Sequence, residues 1–264
     1  MYICTCQRAS YIKGGNAMGP NAVIGEFAGQ IAAELDEFCR STVERVCGTE
    51  YPDDMFRLAD RLGMEIIVDG GESHRARCLR IQRGEKSQWL LIVRDEPRWE
   101  RMQWAIAHEL GESLAGQAIM KLGWDVEDLQ PVHREWLANE IAKRLLLPFP
   151  EFLSEGAALE WDLYRLKEQY PNASHEVIAR RMLDAPRPIV ITIFDNGRLY
   201  WRKSNSLIAS PPLTQQEKAC WRAAHETGQS VRYQNAVESI VCWTIHENGW
   251  QREILRTESP WLEE

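Results

Sequence analysis

Apolar residues recur at helical spacing through Asn21–Val46, at Ile24, Phe27, Ile31, Leu35, Phe38 and Val46, which predicts a helix there. A second helix is predicted over "PDDMFRLADRLG", which opens on proline and acids and stops at Gly63. Three apolar runs follow, "MEIIV", "RCLRI" and "QWLLIV", parted by glycine-rich or charged turns, and these predict strands. From about Pro97 to Lys121 the pattern is helical again, with proline in the first turn, where its missing N–H costs nothing. "HREWLANEIAKRLL" predicts a further helix that ends before Pro148.

Beyond it lie two short helical stretches, "WDLYRLKEQY" and "SHEVIARRML", joined by "PNA". Pro186 and Pro188 mark a boundary, after which the period changes. "IVITIFDNGRLYWRK" reads as a hairpin turned at Asn196-Gly197, and "SIVCWTIHENGWQREILR" as another turned at Asn248-Gly249. Between them a helix starts at Thr214, where T-Q-Q-E spells a capping box. The expected organisation is a flexible tail over residues 1–20, an N-terminal helix over 21–50, a central domain over 51–185 and a C-terminal α+β annex over 186–264. The fold class is α+β.

Composition narrows the function. The 264 residues are 44% hydrophobic and 27% charged, ordinary for a soluble protein. A net charge of −8 argues against a general nucleic-acid binder, whose contact face is basic. No apolar run reaches the roughly 18 residues of a membrane span. The opening residues lack the apolar stretch of a secretory signal, and Met18 is an alternative start. Seven cysteines, at 4, 6, 39, 47, 78, 220 and 242, are odd in number and scattered, which fits reduced thiols in a cytoplasmic protein.

The helix around "AIAHELGESLAG" carries the candidate chemistry. Between Met102 and Ile119 its ionisable residues are His108, Glu109 and Glu112, and apolar residues fill the other faces. At about 100° per residue, His108 and Glu112 lie about 40° apart, with Glu109 about 60° beyond. A helix apolar nearly all round is a buried one, so this arc of charge needs compensation. A metal ion, a basic partner or a water-filled cleft would supply it. In the next helix Glu135, Ala138, Asn139, Ala142 and Leu146 share a small-residue face suited to close packing.

A-H-E-L-G, then "EWLAN" (Glu135 to Asn139), then "LLLP" ending at Pro148, resembles the ImmA/IrrE family of metallo-endopeptidases. The resemblance extends through "LADRLGMEIIVD" upstream and "SHEVIARRML" downstream, roughly Pro52 to Leu183. It implies a zincin-like domain: a small mixed sheet packed on an active-site helix, with a second helix completing the metal site. It further implies zinc as cofactor, His108 and Glu135 as ligands, Asn139 as a hydrogen-bonding support, and peptide hydrolysis by a metal-activated water with Glu109 as general base. The implied partner is a protein substrate, a helix-turn-helix repressor. The family's second histidine is Glu112 here, so the motif is HExxE rather than HExxH.

Carboxylate oxygens are legitimate zinc ligands. A His/Glu/Glu set is nevertheless harder and more negative than His/His/Glu, which favours Mn²⁺ or Fe²⁺ and leaves the bound water less acidified. The alternative is a catalytically impaired descendant that binds a partner or senses metal. A substrate strand is expected along an exposed sheet edge, with "QWLLIV" as the candidate. Tyr164, Tyr170 and His133 are the candidates for stabilising an oxyanion. Direct DNA binding through Arg165, Lys167, Arg180 and Arg181 is the least favoured reading. Three further His-Glu pairs read as local turn chemistry: His175-Glu176 at a helix start, His225-Glu226 at a helix end and His246-Glu247 before a hairpin turn. In the annex, Trp201, Trp221, Trp243 and Trp250 read as packing residues before they read as a recognition surface.

Overall fold

The computed structural model describes residues 21–264 except 49–50, 53, 72–73, 84–85, 125–129, 207–208, 260–261 and 263–264. The tail expected over 1–20, with Cys4, Cys6 and Met18, lies outside the described residues. The chain divides into two units: residues 1–155 with 168–174, and residues 156–167 with 175–264.

The first unit contains α1 (Asn21–Cys47), α2 (Met55–Arg61), β1 (Met64–Asp69), β2 (Ala76–Arg83), β3 (Lys86–Arg94), α3 (Trp99–Lys121) and α4 (Pro131–Leu146). Asp54 caps α2, its carboxylate accepting the Arg57 N–H at 2.9 Å, and the chain leaves through Gly63 at φ 78°. Helix α3 starts at Trp99, so Pro97 stands just ahead of the helix rather than in its first turn.

The strands form a mixed sheet in the order β1-β3-β2, β3 running parallel to β1 and antiparallel to β2. "QWLLIV" therefore lies in the central strand, which corrects the expected docking edge. Strand β3 is hydrogen-bonded along both edges while its Trp89 stays exposed, whereas β2 bears Arg77 and Arg80, the charges typical of an edge. Leu91 and Val93 of β3 are fully buried.

Helix α3 packs on β2 and β3 and also against α4. Its Ile106, Ala107, Leu110 and Ala115 are solvent-free, as its apolar circumference requires. The two helices nearly touch at Gly111, where a Cβ would stand 2.4 Å from the Ala138 carbonyl oxygen. Helix α1 is joined to α4 through the buried Arg144, which lies 3.3 Å from Asp36 and also binds Glu140. Tyr51 adds a hydroxyl hydrogen bond to the Leu145 carbonyl at 2.8 Å.

Helices α5 (Glu151–Ala158) and α6 (Leu163–Gln169) straddle the division between the units. The apolar pattern had not predicted α5. The second unit continues with α7 (His175–Arg181), a single 3-10 turn, β4 (Val190–Asp195), β5 (Arg198–Ser204), α8 (Gln215–Thr227), β6 (Val231–Gln234), β7 (Ser239–Glu247) and β8 (Trp250–Glu258). Its sheet runs β5-β4-β8-β7-β6 with every neighbouring pair antiparallel. The short β6 was another element the pattern had not predicted. Both hairpin turns fall where expected, with φ 47° at Asn196, 75° at Gly197 and 77° at Gly249.

One face of this sheet packs on α8 through Phe194, Cys220, Ala224, Ile240, Cys242 and Leu255. The capping box at Thr214 forms as read, its hydroxyl accepting the Glu217 N–H at 3.1 Å and Glu217 returning the bond at 2.8 Å. Glu217 also binds Arg202 through both oxygens at 3.0 Å. On the opposite face, Arg180 of α7 lies over the Trp201 ring and Glu176 pairs with Arg252. Arg181 is buried against Asp184 at 2.5 Å. Two of the cations weighed for DNA contact are thus internal to the unit. Trp243 is buried and donates its indole N–H to Asp162 at 3.3 Å. No described helix is long and apolar enough to cross a membrane.

Candidate metal centre

The close approach at Gly111 sets the site's geometry, because the carboxylates and imidazole sit within a turn of it on either helix. His108, Glu112 and Glu135 each offer a ligand atom, and these atoms all lie within 4.8 Å of one another. His108 Nε2 and Glu135 Oε2 are 3.8 Å apart. Bonds of about 2.0–2.2 Å around a tetrahedral ion place ligand atoms roughly 3.3–3.6 Å apart, so small side-chain movements would close the set on zinc. One imidazole and two carboxylates also suit a harder divalent ion.

Asn139 fixes the orientation of both partners. Its amide nitrogen donates to the Glu135 carbonyl at 2.8 Å and to Glu135 Oε1 at 3.1 Å. That leaves Asn139 Oδ1 facing His108 Nδ1 at 3.2 Å. An acceptor there selects the tautomer with hydrogen on Nδ1, so the lone pair of Nε2 points towards the carboxylates.

Glu109 is buried beneath this arc. Burial pushes its carboxyl above the ordinary range; the His108 charge opposes this, Glu112 and Glu135 reinforce it, and a backbone hydrogen bond from Cys78 of β2 partly relieves it. Glu112 is raised for the same reason, burial first, with His108 and Arg134 opposing and Glu135 adding to the shift. Three carboxylates gathered at one half-buried place repel each other, and together with burial this favours proton uptake. A divalent cation would reverse that balance.

Of the candidates for oxyanion stabilisation, Tyr164 has its hydroxyl engaged by the Thr244 backbone. Tyr164 donates its hydroxyl to the Thr244 carbonyl at 2.7 Å and accepts the Thr244 N–H at 3.1 Å. His133 Nδ1 accepts the Gln130 N–H at 3.2 Å at the start of α4, and Tyr170 packs on Phe152.

The structure also brings together residues that the sequence reading had set aside. His225 at the end of α8 and His246 of β7 meet at Glu253 of β8, forming a second group whose ligand atoms lie within 4.8 Å of one another. Glu253 had not been singled out. Hairpin register was the available signal: the turn at Asn248-Gly249 pairs His246 with Gln251 and Thr244 with Glu253, which puts His246 and Glu253 on one face.

A mixed sheet bearing two closely packed helices that converge a histidine and carboxylates is the architecture of a zincin-like, metallopeptidase-type domain. Residues 59–183 match the sequence model of the Peptidase_M78 family, the IrrE N-terminal-like domain. The match falls on the span that carries the motifs and supports the family they resemble. No curated protein matches the chain. Among solved structures, a Mycobacterium tuberculosis transcriptional regulator is similar in fold at a TM-score of 0.63 with 17% identity, over 92% of this chain and 82% of that one.

Proposed function

We propose that the protein is a metal-dependent endopeptidase of the ImmA/IrrE type acting in the cytoplasm on a regulatory protein, with a helix-turn-helix repressor as substrate. The observation that carries this reading is the convergence of His108, Glu112 and Glu135 beside a buried Glu109. The three would hold Zn²⁺, or Mn²⁺ or Fe²⁺ given the extra carboxylate. When bound, the ion supplies a Lewis acid that polarises the scissile carbonyl and acidifies a water.

The chain's own groups do the rest. Glu109 takes the water's proton and returns it to the leaving amine, and the Cys78 N–H keeps its carboxylate aligned. Asn139 holds the His108 tautomer and the Glu135 rotamer at once. The outer edge of β2, next to Glu109, is where an extended substrate would add as a strand. The substrate assignment rests on the family; a solved structure of similar fold, called a transcriptional regulator, is in keeping with a regulatory role.

Glu112 in place of histidine favours a second reading, a metal-binding or partner-binding protein with impaired catalysis. Metal analysis of the purified chain, followed by cleavage assays on candidate repressors with wild type and Glu109→Gln, separates the two. Loss of cleavage by about 10²–10⁴-fold in Glu109→Gln with metal content unchanged supports the peptidase. Stoichiometric metal without Glu109-dependent cleavage refutes it.

A further inference from the structure

The second unit holds a cluster that the peptidase reading does not use. Glu253 is fully buried in the β8 strand. His225 Nδ1 approaches its Oε1 at 2.9 Å, and His246 Nε2 approaches the same oxygen at 2.6 Å. The other oxygen, Oε2, accepts the Trp221 indole N–H at 3.1 Å. Among the described residues the ion-pair partners of Glu253 are these two imidazoles, and no lysine or arginine is among them.

Three features make this more than a hydrogen-bonded knot. First, both imidazoles converge on a single oxygen instead of being shared between two. Second, indole is a donor with no acceptor capacity, so Trp221 fixes the carboxylate through Oε2 and presents Oε1 alone to the rings. A carboxylate ligand held by an N–H donor on its outer oxygen is the usual support of a metal site. Trp221 is itself set by stacking on Phe194, with ring centres 4.3 Å apart.

Third, the burial is graded. The Glu253 side chain is solvent-free, while His246 is 20% and His225 31% exposed. The carboxylate forms the floor and the imidazoles form the rim, leaving an approach from solvent. A buried carboxylate needs positive charge beside it in a low-dielectric setting, which a divalent ion held by the two imidazoles would supply. The glycine turns at Gly197 and Gly228, both at positive φ, bring backbone beside the far edges of His225 and His246.

We infer that His225, His246 and Glu253 form a second divalent-metal site, built from two imidazoles and one carboxylate and suited to a borderline first-row ion such as Zn²⁺ or Co²⁺. Tetrahedral zinc places its ligand atoms roughly 3.3 Å apart, so from 2.9 Å His225 need retreat by about 0.4 Å and from 2.6 Å His246 by about 0.7 Å. The site stands apart from the peptidase centre in sequence and in the unit that carries it.

The test uses the full-length His108→Ala/Glu135→Ala variant, which removes the first site, titrated with Co²⁺ and Zn²⁺. One equivalent of saturable binding with a tetrahedral Co²⁺ absorption band is expected. Adding His246→Gln should weaken binding by more than the roughly 100-fold that loss of an outer-sphere partner costs, and Trp221→Phe by roughly 10–100-fold. Absence of saturable binding at millimolar Zn²⁺, or binding indifferent to His246→Gln, overturns the assignment. Should a substitution impair folding, ring-nitrogen NMR of the unmutated chain decides: Zn²⁺ must shift His225 Nδ1 and His246 Nε2, and a titration that leaves either in place overturns the site. Failure here leaves the peptidase reading intact, since that rests on His108, Glu112 and Glu135.

Discussion

Gly111→Ala is the sharpest probe of how the candidate metal centre is assembled. A Cβ there would stand 2.4 Å from the Ala138 carbonyl oxygen, 3.0 Å from its carbon and 3.1 Å from its Cα. Close C···O contacts settle near 3.3 Å, so the shortfall is about 0.9 Å, and the obstacle is backbone that no rotamer change relieves. Overpacking of this kind costs about 1–3 kcal/mol, against which alanine's better helix propensity returns about 1 kcal/mol. If α4 retreats to make room, Glu135 and Asn139 move with it by nearly an ångström relative to His108. A misplacement of that size costs about 10²-fold in rate. Gly116 lies on the same helix with nothing within 4 Å of its would-be Cβ. Gly116→Ala should therefore stabilise by about 0.4–1 kcal/mol and leave the centre undisturbed. Urea unfolding and competitive Zn²⁺ titration of both variants provide the readout. Equal stability and equal metal affinity in the two variants would refute the claim that α3 and α4 are locked at this glycine.

Asn139→Ala should lower metal affinity about 10–100-fold, measured by chelator competition, because it frees both the His108 tautomer and the Glu135 rotamer; unchanged affinity would remove Asn139 from the site. Glu112→His should strengthen Zn²⁺ binding and widen its margin over Mn²⁺, and a shift in the other direction would count against Glu112 as a ligand. Burial alone would raise the Glu140 carboxyl, but Lys143 and Arg144 outweigh it and hold the group well below the usual carboxylate range. A depressed pKa gives stability that is complete above the unfolded value of about 4.3 and fades as pH falls through the folded one. Glu140→Gln should thus cost about 1.5–3 kcal/mol at neutral pH, with the deficit narrowing in acid. Denaturant midpoints that differ equally at both pH values would contradict this.

The convergence of His108, Glu112 and Glu135 was legible because its signal is local. Three ionisable residues in the largely apolar stretch Met102–Ile119 announce themselves within about two turns, and Asn139 lies one turn beyond Glu135 on a neighbouring small-residue face. The capping box at Thr214 and the turn at Asn196-Gly197 are also short-range, and both formed as read. Strand order was not legible. An apolar run such as "QWLLIV" reports a strand, but pairing on both sides depends on chain segments far apart in sequence. Helix α5 escaped because "EFLSEGAA" mixes apolar and polar positions with a glycine over barely two turns. The His225/His246/Glu253 cluster needed two long-range facts at once: the register of β7 on β8 and the packing of α8 across that face.

The way the two units share the chain bears on how the molecule can be taken apart. Residues 156–167 belong with 175–264, separated from them by a stretch that belongs to the first unit. Asp162 accepts the Trp243 indole N–H, the Tyr164 hydroxyl clasps the Thr244 backbone, and Glu176 neutralises Arg252. All three anchors lie before Pro186, and the groups they satisfy lie after it. A gene fragment starting at the proline boundary would therefore strip the Trp243 indole and the Thr244 backbone of these partners, and leave Arg252 with Asp195 but without Glu176. No single cut yields both units whole, so dissection must follow the weave of the chain, with circular permutants or linked segments in place of a simple truncation.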